Sequence, residues 1–297
     1  MENNLELYKV FYYVVTTGSL TKASEMIHIS QPAITKHIKN LESTLNASLM
    51  IRTKKGIILT PYGEKIFEQV KDMMICAKNI DNITHSLADI SSGTIRIGAS
   101  KSIIRCFIIP TLTQIKKTYP HINVELEIRP SVELRNKLKN GEIDLIVSKL
   151  PNSLDEMFNH EQLGTLHDIL ITSDKYPELL NRKVKLSELD NYPFVIPQPL
   201  SQSLKQFTHL LKEEQIKPKY STIVGSFSLI AKFVEEGHGI GFVTKEYIQS
   251  WLNQKSVFEI DITPKLSTFP YGIITLKNSI MSPATEKFIE YLRNQSN

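Results

Sequence analysis

The chain has 297 residues, more than one ordinary domain needs, so two or three folded units are expected. A hydrophobic fraction of 41% supplies real cores, and a net charge of only +4 excludes a general polyanion sponge. Two cysteines, Cys76 and Cys106, exclude a disulfide framework; both are expected to be packed inside. With no export leader and no apolar run of membrane length, a cytoplasmic setting is expected.

Residues 5–16 read as a helix with Leu7, Phe11, Val14 and Val15 inward. Ser19 caps a short amphipathic helix over residues 20–27, where small Ala23 permits a close helix crossing. Ser30 then caps a third helix, and Pro32 sits in its first turn, where a missing donor costs little. Ile34, Ile38, Leu41 and Leu45 form one apolar stripe on this helix. Its far face carries Pro32, Thr35, Lys36, Lys39, Asn40 and Ser43, with Gln31 at the leading edge. Gln pairs with an adenine edge, Thr offers a hydroxyl or a methyl, and Lys reaches guanine or phosphate. Two short helices joined by a tight turn, the second with such a face, predict a helix-turn-helix whose second helix enters the major groove.

Residues 48–60 read as a two-stranded wing, with Lys55-Gly56 near its turn. The candidate DNA-binding set is therefore Ser30, Gln31, Pro32, Thr35, Lys36, Lys39, Asn40, Arg52, Lys54 and Lys55. Residues 1–60 hold seven Lys or Arg against four Glu, so most of the net positive charge lies in this module.

Thr60 caps, and Pro61 opens, a long helix expected to run to about residue 90. Along it Ile66, Val70, Met73, Ala77, Ile80, Thr84 and Leu87 alternate four and three apart, a heptad seam with a polar break at Thr84. One helix cannot bury that stripe on itself, so a second copy is the expected partner and the chain a dimer. Ser91-Ser92-Gly93 reads as a hinge.

Beyond Gly93, strands (94–99, 123–129, 142–147, 168–172, 193–196, 220–224, 239–244 and 271–276) alternate with helices (102–118, 132–140, 203–214, 226–236 and 283–293). That alternation predicts parallel sheets in two α/β lobes, residues 93–160 with 269–297 and residues 161–268, with crossings near 148–160 and 263–269. Ligands in such sheets bind beyond the carboxyl ends of the strands. That rule nominates Ser100, Lys101, Ser102, Arg129, Ser131 and Ser148 from one lobe. From the other it nominates Pro197, Gln198, Ser201, Gln202, Ser203, Ser226, Ser228 and Thr244. Hydroxyls and helix N-termini suit a small carboxylate or similar anion. No H-E-x-x-H, C-x-x-C, G-x-S-x-G or phosphate-loop motif is present, so neither an enzyme, a metal nor a cofactor is expected.

Ala23, Ser30-Gln31-Pro32-Ala33, Lys36, Leu41-Glu42 and Arg52 through Thr60-Pro61-Tyr62-Gly63 resemble the N-terminal signature of LysR-type transcriptional regulators. The family often has Arg where Lys36 stands and Ala where Ser24 stands. The resemblance extends over the whole chain. It implies a winged helix-turn-helix, a dimerising linker helix and a two-lobed effector domain similar to periplasmic binding proteins. It also implies effector contacts at Ser100 and Ser102 and a tetramer built from dimers; a pseudo-palindromic operator is expected, with RNA polymerase as a further partner. A regulator without an effector, and a solute-binding protein, are the alternative readings.

Overall fold

The computed structural model describes residues 4–53, 56–86, 93–198 and 202–296. The expectations for Lys54, Lys55, Leu87, the hinge at Ser91-Ser92 and Ser201 fall outside those residues, as does the side chain of Thr84.

Three helices and a wing form the first unit. They are α1 (Leu5–Thr17), α2 (Leu20–Ile27) and α3 (Gln31–Leu45), followed by β1 (Met50–Thr53) and β2 (Gly56–Leu59). Each helix begins on a side chain that accepts an orphan backbone N–H: Asn4 from Glu6, Ser19 from Lys22, and Ser30 from Ala33. Each ends on a left-handed residue, Gly18, His28 or Asn46. Val10, Phe11, Val14, Ala23, Ile34 and Leu41 are fully buried between them. Burying a large apolar side chain of this kind contributes about 1.5–3 kcal/mol.

The wing pairs Met50 with Leu59 through Thr53 with Gly56. It is held to α3 by Glu42, whose Oε1 accepts from the Leu49 N–H at 2.8 Å, the Met50 N–H at 3.4 Å and the Ser48 hydroxyl at 3.2 Å. Thr60 accepts from the Gly63 N–H at 2.9 Å and so caps α4 (Pro61–Ser86). Gly63 lies so close to the wing that a Cβ there would stand 1.9 Å from the Leu49 carbonyl oxygen.

The seam on α4 divides. Val70 is only 3% exposed and packs into the first unit's core, with Ile66 and Met73 against it. Phe67 meets Phe11 edge-on at 6.0 Å. Ala77 and Ile80 are exposed, Ile80 by 64%. Val70 is thus corrected from a seam residue to a core residue, because α1 reaches it first. Cys76 is exposed rather than packed, whereas Cys106 is half-buried.

The remainder folds as two lobes sharing one curved sheet, in the order β4-β3-β5-β13-β6-β10-β8-β9. β3 (Gly93–Ala99) lies parallel between β4 (Ile122–Glu127) and β5 (Leu145–Lys149). α5 (Lys101–Ile103) continues through one wide turn, Ile104–Ile108, into α6 (Ile109–Thr118). There the Ile109 N–H reaches back five residues to the Ile104 carbonyl. Pro110 explains the wide turn, since it has no N–H to give the preceding turn and its ring crowds the carbonyl four residues back. α7 (Ser131–Lys139) precedes β5.

The expected crossing at 148–160 is made instead inside one long strand, β6 (Phe158–Thr172). Phe158–His167 pair with β13 (Thr268–Leu276), and Asp168–Ile171 then pair with β10 (Ile240–Thr244). The stretch NHEQLGTLH in β6 lacks apolar alternation, so only its end was legible.

The second lobe stacks β8 (Pro193–Pro197) parallel to β10 and to β9 (Lys219–Val224). α8 (Gln202–Glu213), α9 (Phe227–Glu235) and α10 (Gln249–Asn253) cover it, and α11 (Pro283–Ser296) covers the first lobe. Three strands too short to foresee complete it: β7 (Lys183–Lys185), β11 (Phe258–Glu259) and β12 (Asp261–Thr263). The strand expected from residue 142 starts at Leu145, because Asp144 turns its carboxylate to the Arg96 N–H at 2.7 Å.

Glu42→Ala should cost about 1–3 kcal/mol of stability by orphaning buried wing amides, and Glu42→Gln much less. Thermal unfolding of the full chain measures both; equal effects would remove the wing-anchoring role.

Candidate functional site

On α3 the helix period separates two faces. Ile34, Ile38 and Leu41 are buried, while Gln31, Pro32, Lys36, Lys39 and Asn40 are exposed and Thr35 is half-buried. Glu42, the acidic residue of this helix, is turned to the wing, so apart from Pro32 the outer face carries cationic and hydrogen-bonding groups. Gln31 Nε2 donates to the Thr21 hydroxyl at 3.0 Å, and Arg52 donates to the Thr35 hydroxyl at 3.2 Å. Two expected readers are therefore pre-oriented by neighbours on α2 and β1. Thr21 was not foreseen, since its partner lies ten residues away. Ser30 spends its hydroxyl on the cap.

The other candidate polar residues lie at the carboxyl ends of parallel strands within each lobe. Ser100 caps α5 with its side chain, accepting from the Ile103 N–H at 3.4 Å; Lys101 is exposed and Ser102 half-buried. Arg129 and Ser131 are exposed, and Arg129 Nε stands 3.9 Å from Glu127. Ser148 turns its hydroxyl to the Lys149 carbonyl at 3.0 Å. In the second lobe Ser226 and Ser228 share a hydrogen bond of 2.7 Å. Gln198 is exposed and lies beside Gly225, whereas Pro197 is buried. Gln202 and Ser203 open α8.

Thr244 departs from expectation. It is fully buried, and its hydroxyl donates to Asp168 at 2.8 Å, so it positions a carboxylate instead of facing the cleft. That carboxylate stands 3.7 Å from Lys149 Nζ, which also lies 4.0 Å above the Phe269 ring. Burial pushes the Lys149 ammonium below the usual lysine range, against the pull of Asp168 and Glu246. Lys149 is thus a half-buried cation where the first lobe's β5 ends. The pair joins residues on β5 and β6 that no local sequence pattern connects.

The lobes are also clasped in front of that pair. Arg105, in the wide turn, donates to the Tyr247 carbonyl and lies 5.5 Å from the Trp251 ring centre. Phe107 stacks on Tyr271 at 4.6 Å, and Tyr247 from the second lobe is buried in the first lobe's core, where burial raises its phenol.

Among the described residues no group of three or more His, Cys, Asp and Glu side chains converges in a way that holds a metal ion, and no helix is long and apolar enough to cross a membrane.

Residues 5–64 match the model of the bacterial regulatory helix-turn-helix proteins of the LysR family, and residues 88–297 match the LysR substrate binding domain. A probable RuBisCO transcriptional regulator from Thalassiosira pseudonana is 27% identical over 97% of this chain and 96% of its own length. The HTH-type transcriptional activator CmpR from Synechocystis is 24% identical over 97% of this chain and 94% of its own. Full-length OxyR from Pseudomonas aeruginosa superposes with a TM-score of 0.75 at 18% identity, covering 100% of this chain and 95% of that one. The regulatory domain of Synechocystis CcmR, solved in complex with 2-PG, gives 0.60 at 19% identity over 69% of this chain and 98% of its own. Both family models fall on the parts already separated by their geometry, the winged module and the two-lobed sheet, and the chain belongs to the LysR family of transcriptional regulators.

Proposed function

We propose that α3 reads bases in the major groove and that the cleft between the lobes binds a small anion which sets the regulator's state. The observation that carries the first half is the sorting of α3 into a buried apolar face and an outer face of exposed Gln31, Lys36, Lys39 and Asn40 with half-buried Thr35. Gln31 and Thr35 read base edges, whereas Lys36 and Lys39 reach guanine or phosphate, and Arg52 at the wing neutralises phosphate. Exposed Ala77 and Ile80 support pairing of α4 with a second copy, which would place two recognition helices on successive major grooves of a pseudo-palindrome. Contacts between dimers then give a tetramer that bends the promoter and meets RNA polymerase.

Support for an anion comes from the Lys149 ammonium and from the capped start of α5 at Ser100, both at carboxyl ends of parallel strands. An effector that prefers one lobe arrangement shifts the population toward it. The 2-PG bound to the CcmR domain makes such an anion a reasonable first probe. Activity rests on binding and shape change, with no reaction catalysed.

Genome-wide footprinting supplies the operator on which base reading is tested. Gln31→Ala should lose about 1–3 kcal/mol of discrimination at one base position. Unchanged preference across a mutated operator set would remove its reading role. Arg52→Ala should weaken binding to all sequences and flatten the salt dependence by about one unit of slope. A loss confined to one sequence would instead make it a base contact.

For the cleft, melting of the full chain is followed against 2-PG, sulfate, phosphate and acetate. Removing Lys149 alone leaves Asp168 buried without its cation, at a cost of about 3–5 kcal/mol, so the informative variant is Lys149→Met with Asp168→Asn. The wild type should be stabilised by at least one anion and the double variant by none. Equal stabilisation of both places the anion elsewhere.

A further inference from the structure

Lobe and winged module touch directly, beside the linker helix that joins them. The turn after α7, residues 140–144, lies against two helices of the N-terminal part. The buried Tyr12 phenol on α1 donates to the Asn140 carbonyl, and that burial raises its pKa. Lys78 on α4 donates to the Gly141 carbonyl at 2.9 Å and stands 2.7 Å from Asp144 Oδ1. The other Asp144 oxygen takes the Arg96 N–H at 2.7 Å, so the same carboxylate is fixed to β3. Within the turn, Glu142 accepts from Asn140 at 3.1 Å and from Lys137 at 2.8 Å. Farther along α4, Asn79 accepts from the Ile280 N–H at 2.8 Å and donates to the Asn278 carbonyl at 3.1 Å. None of the exposed residues of α3 takes part, so the contact leaves the DNA-facing side open.

The position of this contact is informative. Asp144 immediately precedes β5, and Ser148 and Lys149 end it. At the usual rise per residue, about 15 Å of strand separates the clamp on α1 and α4 from Lys149 at the far end of β5. Ile146 and Val147 are buried in mid-strand, and β5 is paired on both sides, by β3 and β13. A shift of Lys149 along the strand axis is therefore delivered at Asp144 with little loss in between.

We propose that residues 140–144, clamped by Tyr12 and Lys78, are the coupling contact that converts the position of β5 into the orientation of the winged module. The proposal rests on the reading that the cleft is the effector site, which supplies the shift. Two helices are gripped at once, one at Asn140 and one at Gly141 and Asp144, so the turn fixes the module's angle as well as its distance.

Amide hydrogen exchange on the full-length chain tests it. The trigger is the paired change Lys149→Met with Asp168→Asn, and Phe269→Leu serves as a milder second trigger should that pair fail to fold. With the clamp intact, either trigger should alter exchange in α1 around Tyr12 by about tenfold. In a Tyr12→Phe, Lys78→Gln background the change should stay inside the lobes. An α1 that ignores the trigger, or responds equally without the clamp, overturns the proposal. Anion titration judges the effector reading separately: a chain that binds no anion yet shows the clamp-dependent response keeps the contact and loses the effector.

Discussion

Everything in this molecule depends on the packing of α3 across α1. Ile34, Ile38 and Leu41 lock the helix onto Val10, Phe11 and Val14, and the 3.6-residue period then leaves no choice about what faces outward. The same burial sets where the wing lies, because Glu42 on the helix gathers the amides that open β1. Phe67 and Val70 on α4 join that core, so the direction of the linker helix is set by it as well. A side chain lost from this small core would disturb the outer face of α3, the wing and the direction of α4 together.

The regulatory half uses a different principle. Its two lobes share a continuous sheet, and β6 and β13 pass side by side from one to the other. A half-buried lysine and a buried aspartate from opposite sides of the crossing are held there at 3.7 Å. Charges so placed are costly to desolvate. Arg105, from the first lobe, donates to the Tyr247 carbonyl of the second and ties the two together.

The winged module was legible because local rules decide it. Ser19 and Ser30 cap, Pro32 and Pro61 open helices, and the apolar stripes have the right period. The lobe order of strands and helices was legible for the same reason. What escaped was long-range. The polar run of β6 pairs only because β13 lies beside it, and the Lys149–Asp168 pair exists only after the crossing is made. Val70 looked like a seam residue because a heptad pattern cannot tell a partner's helix from α1 of its own chain. The turn at 140–144 carries an ordinary helix-ending glycine, and nothing in its sequence indicates that Tyr12 waits for its carbonyl.

The most direct test of the central claim is photocrosslinking to operator DNA from a reactive side chain placed at position 36, with position 72 on the exposed side of α4 as the comparison. Major-groove bases should be labelled from position 36 and none from position 72. Labelling from both alike, or from neither, would contradict the assignment of α3 as the reading helix.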